Sequence, residues 1–429
     1  MLVALLLLAA VVEMLWAAAT PPWRVPDEPQ HFGYIQYLSR EHSLTPPDAA
    51  MYPDVIASQI STNFDGIWGE AGTPGDPNVH EINLAAKHPP LYYALMLPAY
   101  RAARGGTVET QLYAVRIWGI VIFLLLIAVS YRLAREVFPR AACLQAGVPL
   151  LLIFHPQLGF ISAGVSNDSL LVLMFTFWLL QLILFAKGDL RYRRVLLLGA
   201  AMGLGMLTKA TFIVAYPLAI LVFAVMLAIR RQDRRQLLRA AGIAIALAAV
   251  IAGWFYLWQS MQVNPGVTVA KVERYGQPGL FSLIFSTSFA RDLISGFLGD
   301  FSWLSIPLPD GVAGWFGDLS WLAGAGILAS FAVNRWCRRR QVIAPWMALL
   351  LALVFAALFL FAALFELTIG AAQGRYLFPA VFPFWALFLA GLTGWLPVAW
   401  RPRAVALVVA VAGAFWGWAL LDVFLARVT

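Results

Sequence analysis

Apolar residues fall in long blocks along the chain, separated by short polar stretches that are alternately strongly basic and mixed in character. A helix needs about 20 predominantly apolar residues to cross a hydrocarbon core of roughly 30 Å. Blocks of that kind lie at 2–19, 112–133, 141–161, 169–186, 240–258, 315–333, 343–367, 376–396 and 404–424. A compound block, 195–229, is too long for one crossing and is flanked by "RYRR" and "RRQDRR". It reads as a hairpin with both ends on one side, which brings the prediction to about eleven crossings.

The basic clusters set the orientation. Arg132, Arg135 and Arg140, then 187–194, 230–239, 335–340, and Arg401 with Arg403 occupy alternate short connections, where the positive-inside rule places cytoplasmic loops. The other face carries two long segments, 20–111 and 259–314, and short turns near Asn167 and Gln373. Within the first, "FGYIQYLS" and "PPLYYALMLPAYRAA" are Tyr-rich, with apolar residues at helical intervals, as in helices lying in the membrane interface. The stretch 51–81, dense in Pro, Gly, Asn and Asp, reads as loop. Neither an internal repeat nor a soluble domain is visible, so 1–429 reads as a single transmembrane domain.

Composition narrows the class further. With 61% hydrophobic and 12% charged residues, 17 Trp and 29 Phe, the chain lies far from soluble domains, whose charged share is roughly 25%. The net charge of +8 is spent in loop clusters rather than along one polar face, which excludes a nucleic-acid partner. Cys143 and Cys337 both border predicted cytoplasmic loops, so no disulfide is expected. The block 2–19 ends in "WAAAT" but lacks a basic leading region, and reads as a membrane helix more than a cleaved leader.

Candidate chemistry collects on the face opposite the basic loops. "RVPDEPQHFGY" puts Asp27, Glu28 and His31 directly after the first block, stiffened by Pro26 and Pro29. Two fixed carboxylates near low dielectric repel, so they seek a cation or a hydroxyl. Read alone, the same dipeptide is a helix cap. "AAKHPPLYY" adds Lys87 and His88. In the hairpin, 195–207 is too short at about 1.5 Å per residue to cross the core, so "GLGMLTKATF" turns inside the boundary. Lys209 is left there in need of an anion, and a lipid phosphate suits it. Gly203 and Gly205 would allow close backbone approach. Arg116, Asn167 and Asp168 in "GVSNDSLL", and Gln373, Arg375 and Tyr376 in "AAQGRYLFP" fall at the same ends of their helices. Asp168 equally suits a cap. Glu13 and Glu366 lie in apolar blocks, where pairing with these arginines would settle them. No metal-ligand spacing, nucleotide-binding glycine loop or nucleophile elbow is present.

"PDEPQH", "KHPPLYY", "SNDSLL" and "GLGMLTKATF", in this order over most of the chain, resemble the GT-C integral-membrane glycosyltransferases that use polyprenyl-phosphate sugars, among them protein O-mannosyltransferases and the lipid A aminoarabinose transferase. "GDFSWLSIPLP" and "QGRYLFPA" look more like an uncharacterised bacterial branch. The resemblance implies a GT-C-like bundle in a bacterial inner membrane and inverting sugar transfer on its extracytoplasmic side. Asp27 would be the base, Glu28 its neighbour, and Asp168 the further carboxylate. Lys87 and His88 would stand at the family's basic position, and Lys209, Arg375, Arg116 and His88 would stabilise the departing phosphate. His31, Asn167, Gln373 and Tyr376 would complete the pocket. The donor would be a polyprenyl-phosphate-linked sugar and the acceptor a glycan, lipid or protein. A divalent ion held by Asp27 and Glu28 stays open, since carboxylates suit one but no fuller oxygen cage is apparent. The rival is a transporter or lipid flippase, which also favours a broken helix and intramembrane charge, normally near the midplane of repeated halves.

Overall fold

The computed structural model describes residues 1–44, 49–62, 83–262, 279–309, 311–370 and 372–428. Nine helices among them are long and apolar enough to cross a membrane. They are Leu2–Ala19 (α1), Val108–Val137 (α5), Asn167–Ala186 (α8), Ala210–Ile229, Arg234–Gln262 (α11), Val312–Trp336 (α15), Pro345–Thr368, Gly374–Thr393 and Arg401–Val428. The bent pair Ala142–Ile153 (α6) and Pro156–Ser162 (α7), which meet at 60°, makes a tenth if the two are counted as one span. The chain there reads His155-Pro156; proline lacks the N–H a continuous helix needs and pushes its predecessor out of helical conformation. His155 is accordingly extended, at φ −84 and ψ 107.

Tyr192–Thr208 (α9) is the short arm of the hairpin. Its 17 residues rise only about 25 Å, short of the roughly 30 Å core. The chain breaks at Lys209, which is extended at φ −160 and ψ 138, passes through a 3-10 turn at Ala210–Val214 and descends as Ala215–Ile229 (α10). The two glycines expected to allow close approach do so, by packing within the protein. A Cβ on Gly203 would come 3.1 Å from the Ala248 Cα of α11, and one on Gly205 would strike the Phe212 ring folded under the break.

The remaining described elements crowd one end of the bundle. Glu28–Glu41 (α2), Pro53–Ser61 (α3) and Leu91–Ala102 (α4) lie before α5; Leu280–Ile284 (α12) and Thr287–Leu298 (α13) precede a two-residue strand at Ile306–Pro307. Part of the expected loop 51–81 is thus the helix α3, and the rest from 63 onward lies outside the described residues. At the opposite end Lys187 pairs with Glu136 at 2.6 Å, and Arg230 donates to the Lys187 carbonyl. The basic helix ends therefore share one side, and α8, buried along most of its length, runs from them to the other.

Glu13 and Glu366 do not pair with arginines among the described residues. Glu366 accepts from the Ala372 amide at 2.8 Å, and both oxygens of the fully buried Glu13 lack a hydrogen-bond partner.

Candidate active site

Four charged side chains from four distant stretches meet at the end away from the basic loops. Asp27 opens α2 at φ 60, left-handed, and its carboxylate makes no capping bond. Turned away from the helix, it receives Arg375 Nη2 at 2.5 Å. Arg375 lies in the 3-10 turn Gly374–Ala380 and reaches on to Asp168 Oδ2 at 3.8 Å. The other Asp168 oxygen accepts from Lys209 at 2.5 Å. Asp168 does not cap α8 either, because Ser166 is the cap residue and accepts the Asp168 amide. Both aspartates are thus released from structural duty, and they alternate with two cations in a row: Asp27, Arg375, Asp168, Lys209.

Asp27 keeps 39% of its side-chain surface open, whereas Arg375, Asp168 and Lys209 keep 8%, 4% and 12%. Burial works to raise the Asp27 carboxyl, but Arg375, with His31 and Lys209 assisting, outweighs it and holds the group down at about 2. Several polar atoms here are buried without a hydrogen-bond partner among the described residues: Arg375 Nε and Nη1, Asp168 Oδ2, Asn167 Oδ1 and Gln373 Oε1. Buried polar atoms are rarely left so, and a ligand that offers both hydrogen-bond acceptors and donors would satisfy both kinds.

Glu28 goes elsewhere. It is fully buried and faces Arg116, also fully buried, through a two-pronged pair at 2.8 and 2.6 Å. Glu28 accepts in addition from the Val165 amide, while Arg116 donates to the Thr20 and Pro21 carbonyls. This knot ties the ends of α1, α2, α5 and α8 together and leaves neither Glu28 nor Arg116 facing the row. The adjacent carboxylates diverge, so they are not placed to share an ion, and no group of three or more metal-ligating side chains occurs among the described residues.

A wall of rings borders Asp27. His31 Nδ1 and the Tyr93 hydroxyl are 2.8 Å apart, His31 stacks on His88, and Asn167 reaches the same hydroxyl at 3.5 Å. Burial pushes His31 down to about 4 and His88 well below its ordinary value, so both imidazoles are neutral at physiological pH. Lys87 is exposed at the rim, its carbonyl accepting from Gln259. Tyr376 lies 5.9 Å from the Arg375 guanidinium carbon. Tyr93 was not singled out from the sequence because it carries no charge, although it lies in "KHPPLYY".

The helical bundle shares its fold with solved polytopic membrane proteins. ArnT from Cupriavidus metallidurans, solved bound to undecaprenyl phosphate, superposes with a TM-score of 0.56 at 17% identity, over 98% of this chain and 73% of that one. The archaeal oligosaccharyltransferase AglB from Archaeoglobus fulgidus, solved with an inhibitory peptide and a dolichol-phosphate, gives 0.53 at 17% identity over 98% of this chain. This chain spans 55% of that one's length. No curated protein matches the sequence. Residues 69–383 match the family described as a predicted membrane protein, DUF2142, and the chain belongs to that family.

Proposed function

We propose that the protein is an inverting glycosyltransferase of a bacterial plasma membrane, which moves a sugar from a polyprenyl-phosphate donor to an acceptor hydroxyl on the extracytoplasmic side. The observation that carries this reading is the row Asp27, Arg375, Asp168, Lys209 at the end of the bundle remote from the basic loops. The lipid phosphates held by two of the structural neighbours support it.

Within the row the carboxylates and cations pair with one another. An arriving lipid phosphate competes for Lys209 and for Arg375, whose Nε and Nη1 lack hydrogen-bond partners among the described residues, and charge-assisted hydrogen bonds to phosphate are strong. As Arg375 turns to the phosphate, Asp27 loses the contact that most depresses its proton affinity and becomes a better base. The acceptor oxygen then forms its bond to the anomeric carbon as Asp27 takes the hydroxyl proton. The carbon–oxygen bond to the phosphate breaks on the opposite face, and the departing oxygen keeps the electron pair. That leaving group is already anionic, so Lys209 and Arg375 assist by stabilising charge rather than by giving a proton. Asp168 holds the two cations apart; His31, His88, Tyr93, Asn167, Gln373 and Tyr376 shape the pocket, and Lys87 stands at its rim.

Release of labelled sugar from its polyprenyl phosphate by the reconstituted protein tests the proposal. Asp27→Asn should lower turnover about 100-fold or more, in the range expected for a general base, while binding donor. Lys209→Ala should weaken polyprenyl-phosphate binding roughly tenfold or more. Full turnover by the first variant removes Asp27 from its role. Labelled sugar that crosses the membrane without release would mark a transporter.

A further inference from the structure

Next to the row, residues 299–308 form a small hairpin. Leu308 donates to the Gly299 carbonyl, Asp300 and Phe301 bridge to Pro307 and Ile306, and the turn closes with Ser305 on the Ser302 carbonyl. Its tip holds three consecutive non-glycine residues in the left-handed region: Ser302 at φ 50, Trp303 at φ 60 and Leu304 at φ 66. Each such residue costs roughly 1 kcal/mol or more, and strain of this kind gathers at functional sites and persists only where neighbours enforce it.

The neighbours that enforce it are the two segments carrying the reacting groups. Gly296, at the end of α13, packs backbone to backbone on Gly374, where an added Cβ would come within 2.0 Å of the Phe297 nitrogen. Arg375 is the next residue. At the tip, the Trp303 indole donates to the Trp23 carbonyl at 2.9 Å. Trp23 is itself left-handed, at φ 68, four residues before Asp27. Between these anchors the Gln157 amide clamps Asp300 on both sides, donating to its carbonyl and accepting from its N–H, each at 2.9 Å. The hairpin and the helix that leads into it are therefore anchored to the segments that carry Asp27 and Arg375.

Its polar side chains are left over. Asp300 Oδ1 and Ser302 Oγ are buried without a hydrogen-bond partner among the described residues. Ser302 is 1% exposed, whereas Asp300 is partly open. Burial pushes the Asp300 carboxyl up to about 6, so at neutral pH it is ionised and takes only donors.

We propose that this hairpin is the acceptor subsite and that the acceptor is a carbohydrate, whose hydroxyls bind Asp300 and Ser302. The assignment rests on the glycosyl transfer proposed above and chooses, among glycan, lipid and protein, the one acceptor class rich in vicinal hydroxyl donors.

The test uses the full chain in phospholipid nanodiscs, titrated with methyl gluco-, galacto- and mannopyranosides by saturation-transfer NMR, and separately with undecaprenyl phosphate. At least one glycoside should bind the wild type at millimolar concentration. Asp300→Asn should weaken it at least tenfold and Ser302→Ala several-fold, with undecaprenyl phosphate affinity unchanged. Absence of glycoside binding by the wild type, or binding that neither substitution weakens, overturns the proposal. A wild type that binds the glycoside but not the lipid phosphate upholds the hairpin and sinks the donor reading; the reverse sinks the hairpin alone.

Discussion

Asp27 and Glu28 are neighbours in the chain and strangers in space. The left-handed turn at Asp27 sends one carboxylate to a cation 348 residues away and the other to a cation 88 residues away. Glu28 and Arg116 form a buried pair, and removing one member of such a pair strands an unpaired charge, at a cost of roughly 3–5 kcal/mol. Glu28→Ala should therefore lower the thermal unfolding temperature in detergent sharply, whereas Asp27→Asn, at a partly open position, should lower it little. Equal losses would contradict this division of labour. That two acids follow the first helix was legible in the sequence; which of them joins the charged row was not, because the answer depends on one backbone angle and two partners far along the chain. Lys209, Arg375 and Asp168 were easier, since a charge that interrupts an apolar block has few places to go.

At the scale of elements, length and punctuation were the reliable signals. The short first arm of the hairpin follows from residue counting alone, and so does the position of Lys209 at its tip. The bend within 141–161 was missed because the apolar run continues through it, although His155-Pro156 marks it chemically. Close packing between helices left still less trace. Val381–Thr393 (α17) lies so near α15 that a Cβ on Gly391 would approach the Ala323 carbonyl oxygen to 2.0 Å, and one on Gly326 the Gly391 oxygen to 2.2 Å. Backbone atoms cannot step aside as side chains do, and small residues at such crossings are what permits helices in a membrane to touch. Gly391→Val should then destabilise by more than about 1–3 kcal/mol, the usual cost of overpacking, read as a loss of folded protein on size-exclusion chromatography. Gly253→Val, where the added atoms meet open space, should leave the elution profile unchanged.

For the whole molecule, the alternation of basic loops predicted two unlike ends, and the helices deliver them: arginine-rich ends on one side, the alternating row of carboxylates and cations on the other. Which end faces the cytoplasm is part of the functional proposal and has a direct reporter. Cys337 is exposed beside the basic stretch 338–340, and Cys143 is only partly so. In a Cys143→Ser background, a membrane-impermeant maleimide added to intact cells should leave Cys337 unlabelled and should reach it once the membrane is opened. Labelling of intact cells would invert the orientation and place the row inside.

The truncated hairpin arm has a kinetic corollary. A cation held at the boundary of the hydrocarbon region meets lipid headgroups that diffuse to it sideways within one leaflet, so the encounter takes place in two dimensions. With the proposed lipid-linked donor, the quantity that saturates the protein is the mole fraction of that lipid in the bilayer, and diluting it with inert phospholipid should slow capture even while its amount per litre of buffer stays fixed.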